Sequence, residues 1–246
     1  MSDFLDEVAG QGYEDFSAHT YSIPFLKIAQ PLSPEINKNH ANYIKDLEAG
    51  QFFNSLTKKN YGSTIKLIPL RQKEMWLEYL PNRGSFKGQH EPGSIQTTGD
   101  LYSKEGLKTL QGNDISDVLT FYCLLADESE SGPIVFSLYG SGFGHGKTWN
   151  SLIMTSKTDS GKQAPYFGSV WELSTSYNQN DQGSWYQIGA AKTTNVKRDR
   201  KITEVELKEY ILPTRDILKS VTSKIDFSQV AGGEQKQIVD TSKTDY

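Results

Sequence analysis

Thr64-Ile65-Lys66-Leu67-Ile68-Pro69-Leu70, followed after two residues by Lys73-Glu74-Met75-Trp76-Leu77-Glu78-Tyr79-Leu80, decides the fold class. Both runs alternate with a period of two, the repeat of a strand whose successive side chains point to opposite faces. In the second run Met75, Leu77 and Tyr79 share one face and Trp76 and Glu78 the other, so one face must show an aromatic to solvent or to a partner. Working downstream, two strong strands are expected at 117–126 and 133–139, joined as a hairpin by the acidic turn Asp127-Glu128-Ser129-Glu130-Ser131-Gly132. Strands are also expected over 169–177 and 184–188, with a turn at 178–183. Upstream, Ile23-Pro24-Phe25-Leu26-Lys27-Ile28 reads as a strand or extended docking segment bounded by prolines, and Gln51-Phe52-Phe53-Asn54 as a short strand. Asn60-Tyr61-Gly62 has turn chemistry, 43–48 allows a single helical turn, and the Gly-, Gln-, Thr- and Ser-rich stretch 83–112 reads as a long loop with a hairpin.

Helical spacing is rare. Trp149, Leu152 and Ile153 predict a short helix over 147–154 packed on the sheet, and a last helix is expected at 204–209 or 216–223. Composition agrees with a β-rich globule, because aromatics are 11% of the chain and Tyr alone occurs 13 times. The fold class is therefore mostly β, with one or two short helices and flexible termini. An acidic arm is expected at 1–22, one β-rich domain at 23–225 and a disordered polar tail at 226–246.

Charge and special residues narrow the chemistry. The net charge is −4, made of −3 over residues 1–60, +1 over 61–225 and −2 over 226–246. The acid excess thus lies at the ends, which leaves room for a basic groove in the middle. Neither a secretory leader nor a membrane-spanning apolar run is visible, so a cytoplasmic location is expected. Cys123, the single cysteine, lies in an apolar strand and reads as a core thiol; Phe121 and Trp171 read as core as well. The four histidines stand far apart with no carboxylate at metal-ligand spacing, so no metal and no other cofactor is expected.

Gly140-Ser141-Gly142-Phe143-Gly144-His145-Gly146-Lys147-Thr148 resembles a Walker A loop. That loop needs a glycine five residues before its Gly-Lys-Thr, where this chain has Ser141, and no later apolar strand ends in Asp. A nucleotide-binding enzyme built on 140–148 is the third functional reading; nothing argues positively for catalysis, and the expectation is a non-enzyme.

What recurs is an aromatic with a base nearby on a strand or its adjoining loop. Cations neutralise phosphates and flat side chains stack on bases, the combination that holds single-stranded nucleic acid on curved sheets of the OB type. For any one such pair, core packing or solvation is the better explanation. Taken together they define a candidate nucleic-acid face with Trp76, Tyr79, Phe86, Trp149, Trp185 and Tyr186 for stacking and Arg71, Lys73, Arg83, Lys87, Lys147 and Lys192 for phosphates.

Several segments resemble a group of tailed-bacteriophage proteins: Pro24-Phe25-Leu26-Lys27-Ile28-Ala29-Gln30, Leu32-Ser33-Pro34-Glu35, Ala49-Gly50-Gln51-Phe52-Phe53-Asn54, Trp149-Asn150-Ser151-Leu152-Ile153, Val170-Trp171-Glu172-Leu173-Ser174 and Gly183-Ser184-Trp185-Tyr186. The resemblance implies an OB-like barrel core and a sequence-tolerant single-stranded DNA-binding role in phage replication or recombination. It also implies phage replication proteins as partners, met through the acidic N-terminal arm or the C-terminal tail, and no membrane. The alternative reading is an accessory or structural virion protein without DNA affinity.

Overall fold

In a computed structural model, residues 23–221 are described, apart from residues 102, 104, 182, 191 and 192. The expected acidic arm, the polar tail and Lys192 lie outside the described residues. The strands, in chain order, are β1 (Phe25–Ile28), β2 (Phe52–Asn54), β3 (Asn60–Gly62), β4 (Thr64–Tyr79), β5 (Phe86–His90), β6 (Thr97–Gly99), β7 (Leu107–Thr109) and β8 (Asp114–Leu125). They continue as β9 (Ile134–Tyr139), β10 (Ser169–Ser174), β11 (Ser176–Asn180), β12 (Gly183–Gln187), β13 (Gly189–Ala190), β14 (Thr193–Thr194) and β15 (Val196–Lys201). Two α-helices complete the described residues, α1 (Phe143–Met154) and α2 (Leu212–Val221), the latter continuing a π-helical stretch over Glu206–Ile211.

The main sheet runs in the order β15-β10-β4-β8-β9-β1-β2-β3 and curls into a half-barrel. Each neighbouring pair along it is antiparallel except β1 and β9, which are parallel over Phe25↔Val135 and Leu26↔Phe136. β4 and β8 form the spine. All eight residues from Val118 to Leu125 are buried, because both faces of β8 are covered, and a doubly covered strand reads as a continuous apolar run. One face packs Leu119, Phe121 and Cys123 against Trp149 and Ile153 of α1; the other packs Val118, Tyr122 and Leu124 in a cluster with Ile211 and Leu218 of the C-terminal helix. Phe121, Cys123 and Trp171 are core residues, as their apolar context predicts.

The structure departs from the sequence reading in informative ways. The two alternating runs are one 16-residue strand, broken only by a bulge between Pro69 and Arg71. Proline has no N–H for the ladder, so the bulge falls where pairing is already weakest. Asn60–Gly62, expected as a turn, is a strand on β2, and 83–112 holds the expected hairpin, β6 with β7, together with a further strand, β5, that pairs with β4. The strand expected over 169–177 is broken at Thr175, so that Ser176–Asn180 turns back onto β12 as a separate hairpin. The two alternative C-terminal helices are one continuous helix.

Its start is set by a capping box. Glu206 N–H donates to Thr203 Oγ1 at 3.2 Å, while the Glu206 carboxylate accepts from Thr203 N–H at 2.6 Å and from Arg200 at 2.7 and 2.8 Å. These bonds, the Arg200 pair first, hold the Glu206 carboxyl down at about 2.

Candidate functional site

The bulge in β4 decides which side chains can act together. Before it Ile65 and Leu67 face α1; after it the odd positions Met75 and Leu77 face the opposite cluster, because the extra residue Leu70 shifts the alternation by one. Arg71, Lys73 and Tyr79 therefore share the face that carries Tyr122, and Trp76 lies on the α1 side with Glu74 and Glu78. Phe86 pairs with Tyr79 across β4 and β5, and the rings meet edge to face at 6.0 Å. Arg71 is exposed, while Lys73 is three-quarters covered and paired at 2.6 Å with the exposed carboxylate of Glu91.

On the α1 side the electrostatics are acidic. Asp117 stands opposite Trp76, has one buried carboxyl oxygen without a hydrogen-bond partner, and is pushed up to about 7. Burial is the main cause, followed by the charge and hydrogen bond of Glu74; Lys147 of α1 and the Val118 N–H oppose the shift. Glu78 is held below the usual carboxylate range by hydrogen bonds from Asn113 at 2.6 Å and from His90 at 2.8 Å. Lys87 is exposed and its charge acts on Glu78, and Arg83 sits in the β4–β5 turn with its N–H donating to Asp114.

Three further expected positions fall elsewhere. Trp149 is fully buried and stacks on Phe121 at 4.2 Å, so this ring is a core residue and is removed from any base-stacking surface. Trp185 and Tyr186 belong to the β11–β12 hairpin, which Gln30 ties to the main sheet: its amide donates to the Tyr186 carbonyl at 3.0 Å and accepts the Tyr186 N–H at 2.8 Å. The Tyr186 ring lies against Gly50, whose φ of +88° and lack of a Cβ make that approach feasible, since a Cβ there would sit 2.6 Å from the ring.

The glycine-rich run also has a packing explanation. From Phe143 it is α-helix, so no loop wraps a phosphate, and Lys147 points from the helix surface. Gly146 lets α1 lie directly on Leu119 and Leu138, which a Cβ would approach to 3.0 and 3.1 Å. Among the described residues no group of three or more His, Cys, Asp or Glu could hold a metal ion, and no helix is long and apolar enough to cross a membrane.

The expected positions thus separate into a basic-aromatic face (Arg71, Lys73, Tyr79, Phe86), an acidic opposite face (Trp76 among Glu74, Glu78 and Asp117, with Lys87 and Lys147 nearby) and a hairpin (Trp185, Tyr186). Sequence reasoning missed Lys27 and Gln30, which gain meaning only through the hairpin folding onto them, and the Glu74–Asp117 pair, whose two strands must be in register before it exists.

Fold and surface define a half-barrel β-protein with helices on both faces and an aromatic-basic patch on one of them. The family model for Pam3 phage gp34-like proteins matches residues 1–210, and the chain belongs to this phage family. No curated protein and no solved structure matches the chain.

Proposed function

We propose that this phage protein binds single-stranded DNA without strong sequence preference, in replication or recombination, and does so without catalysis. The observation that supports this reading is the post-bulge face of β4, where Arg71 and Lys73 stand in one row with the Tyr79–Phe86 aromatic pair. Cations at one end of the row and half-buried flat rings roughly 20 Å along it, beyond the buried Met75 and Leu77, suit a strand several nucleotides long that meets phosphate contacts first and stacking contacts further on. The Lys73–Glu91 pair is no obstacle, because an ion pair with an exposed partner is worth little and a phosphate can take the place of the carboxylate. The acidic opposite face repels phosphate and fixes which side is used.

Fluorescence anisotropy with labelled oligo-dT tests it. Binding weakens steeply with salt, and Arg71→Ala and Lys73→Ala each reduce the log–log salt slope by about 1. Lys87→Ala, on the acidic side, leaves the slope unchanged. Salt-independent binding, or no binding at low ionic strength, removes the proposal.

A second reading, an accessory or structural virion protein, draws support from how many surface bases already meet acids: Lys66 with Asp199, Lys197 with Glu172, Arg200 with Glu206 and Lys201 with Asp159. Stable incorporation into purified particles, together with no DNA affinity, would favour it.

A further inference from the structure

Glu91 stands on the face proposed for DNA, against the cations that would meet phosphate. His90, its predecessor in the chain, pairs with Trp76 on the α1 side, so alternation turns Glu91 to the other face, the one that carries Arg71 and Lys73. The backbone fixes it there. Glu91 opens the turn that follows β5, its carbonyl accepting the Ser94 N–H at 3.0 Å. Pro92 holds the second position of that turn and Gly93, at φ +78°, the third, which is the residue pattern of a type II turn.

From this position the side chain does what a phosphate would do. Its carboxylate meets the Lys73 ammonium at 2.6 Å, and the charge of Arg71 acts on it as well. Lys73, by its hydrogen bond first and its charge second, holds the Glu91 carboxyl below the usual carboxylate range, so the group stays ionised at neutral pH. Carboxylate and phosphate offer these donors the same thing, anionic oxygens at hydrogen-bond distance. Yet the contact is displaceable. The Glu91 side chain is 68% exposed and can swing into water with no change of backbone, unlike Glu78 on the opposite face, which Asn113 and His90 hold in place.

We propose that Glu91 is a built-in phosphate mimic that competes with DNA for Arg71 and Lys73, and so sets how tightly this end of the row takes a strand. The inference rests on the single-stranded DNA reading and deepens it. A strand stacked on the Tyr79–Phe86 rings, roughly 20 Å along the row, brings its further phosphates to Lys73 at high local concentration and displaces the carboxylate. Once displaced, the carboxylate takes up a cation from solution, which cancels about one of the counterions that the strand gives up.

Fluorescence anisotropy of a labelled dT oligomer long enough to span the row tests this on the full chain. Glu91→Gln is expected to bind the oligomer more tightly by up to about fivefold, the size of effect that an exposed ion pair supports, and to steepen the log–log salt slope by about 1. Asp181→Asn removes one acid from the exposed turn between β11 and β12, and leaves affinity and slope unchanged, which controls for net charge. In a Lys73→Ala chain the gain from Glu91→Gln falls away, because the mimic has lost the base it pairs with.

A Glu91→Gln chain that binds no more tightly than wild type, a gain matched by Asp181→Asn, or a gain that persists in full in the Lys73→Ala chain overturns the role of Glu91 while the DNA reading stands. Absence of binding by both wild type and Glu91→Gln at low ionic strength overturns both.

Discussion

Replacing Asp117 by Asn should stabilise the protein above neutral pH and leave it nearly unchanged in acid. Asp117 stands beside Glu74 with one oxygen buried and unpartnered, and its carboxyl rises from 3.8 to about 7. A group whose folded-state pKa is raised binds its proton more tightly in the folded chain, so its contribution is present below pH 4 and is lost as pH climbs to 7. Taken in full, a rise of that size is worth at most ~4 kcal/mol at 1.36 kcal/mol per pH decade. Asp117 is only partly covered, and solvent screening reduces this to about 1–2 kcal/mol. In a chain of this size that corresponds to roughly 2–8 °C in melting temperature. The assay is urea unfolding of wild type and Asp117→Asn from pH 4 to 8, reading the difference between them so that other titrations cancel. The variant should gain steadily over wild type between pH 4 and 7 and level off above. A variant that is less stable at pH 8, or a difference that does not change with pH, refutes the account of the Glu74–Asp117 pair.

Glu206→Gln breaks the bidentate contact with Arg200 and weakens the cap at Thr203; because the Glu206 carboxyl is held at about 2, this costs about 2–3 kcal/mol at pH 7, a deficit that shrinks as pH falls from 4.5 toward 2 in chemical denaturation. Trp149→Ala empties the fully buried space beside Phe121 and is expected to cost about 3–5 kcal/mol in urea unfolding, whereas Trp149→Phe, once folded, should bind oligo-dT as wild type does. Gly50→Ala places a Cβ 2.6 Å from the Tyr186 ring on a backbone with φ +88°; a loss of about 1–3 kcal/mol and faster amide exchange across the β11–β12 hairpin are expected.

Local pattern revealed the elements whose burial is one-sided or complete. The alternation of Met75, Leu77 and Tyr79 and the unbroken apolar run of β8 each state a physical environment, and the structure supplies it. Side assignment was not legible across Pro69, because one inserted residue reverses every later face and nothing local announces which residue is extra. Trp149 misleads for a related reason: Lys147 and Trp149 are close in sequence, yet on a helix they point apart, one to solvent and one to the core. The glycine-rich run resembles a phosphate loop but departs from it at Ser141, and what glycine supplies at 146, room for Leu119 and Leu138, depends on a helix-to-sheet contact that no local pattern shows. β15 went unread because five of its six residues are exposed, so it carries no apolar period, and its place is set by pairing with β10.

The position of β1 governs how the chain can be assembled. It is inserted between β9 and β2, so in the hydrogen-bonded ladder of the described residues β2 and β3 follow on from it. Its parallel partner begins about 110 residues later, at the Phe25↔Val135 pair. During synthesis at 5–20 residues per second, β1 waits roughly 5–20 s for the strand it needs, with an apolar edge held open meanwhile. The β4–β8–β9 meander can close without it, which makes the docking of β1 a late event in folding and the β1–β2–β3 corner the part of the nascent chain most in need of protection.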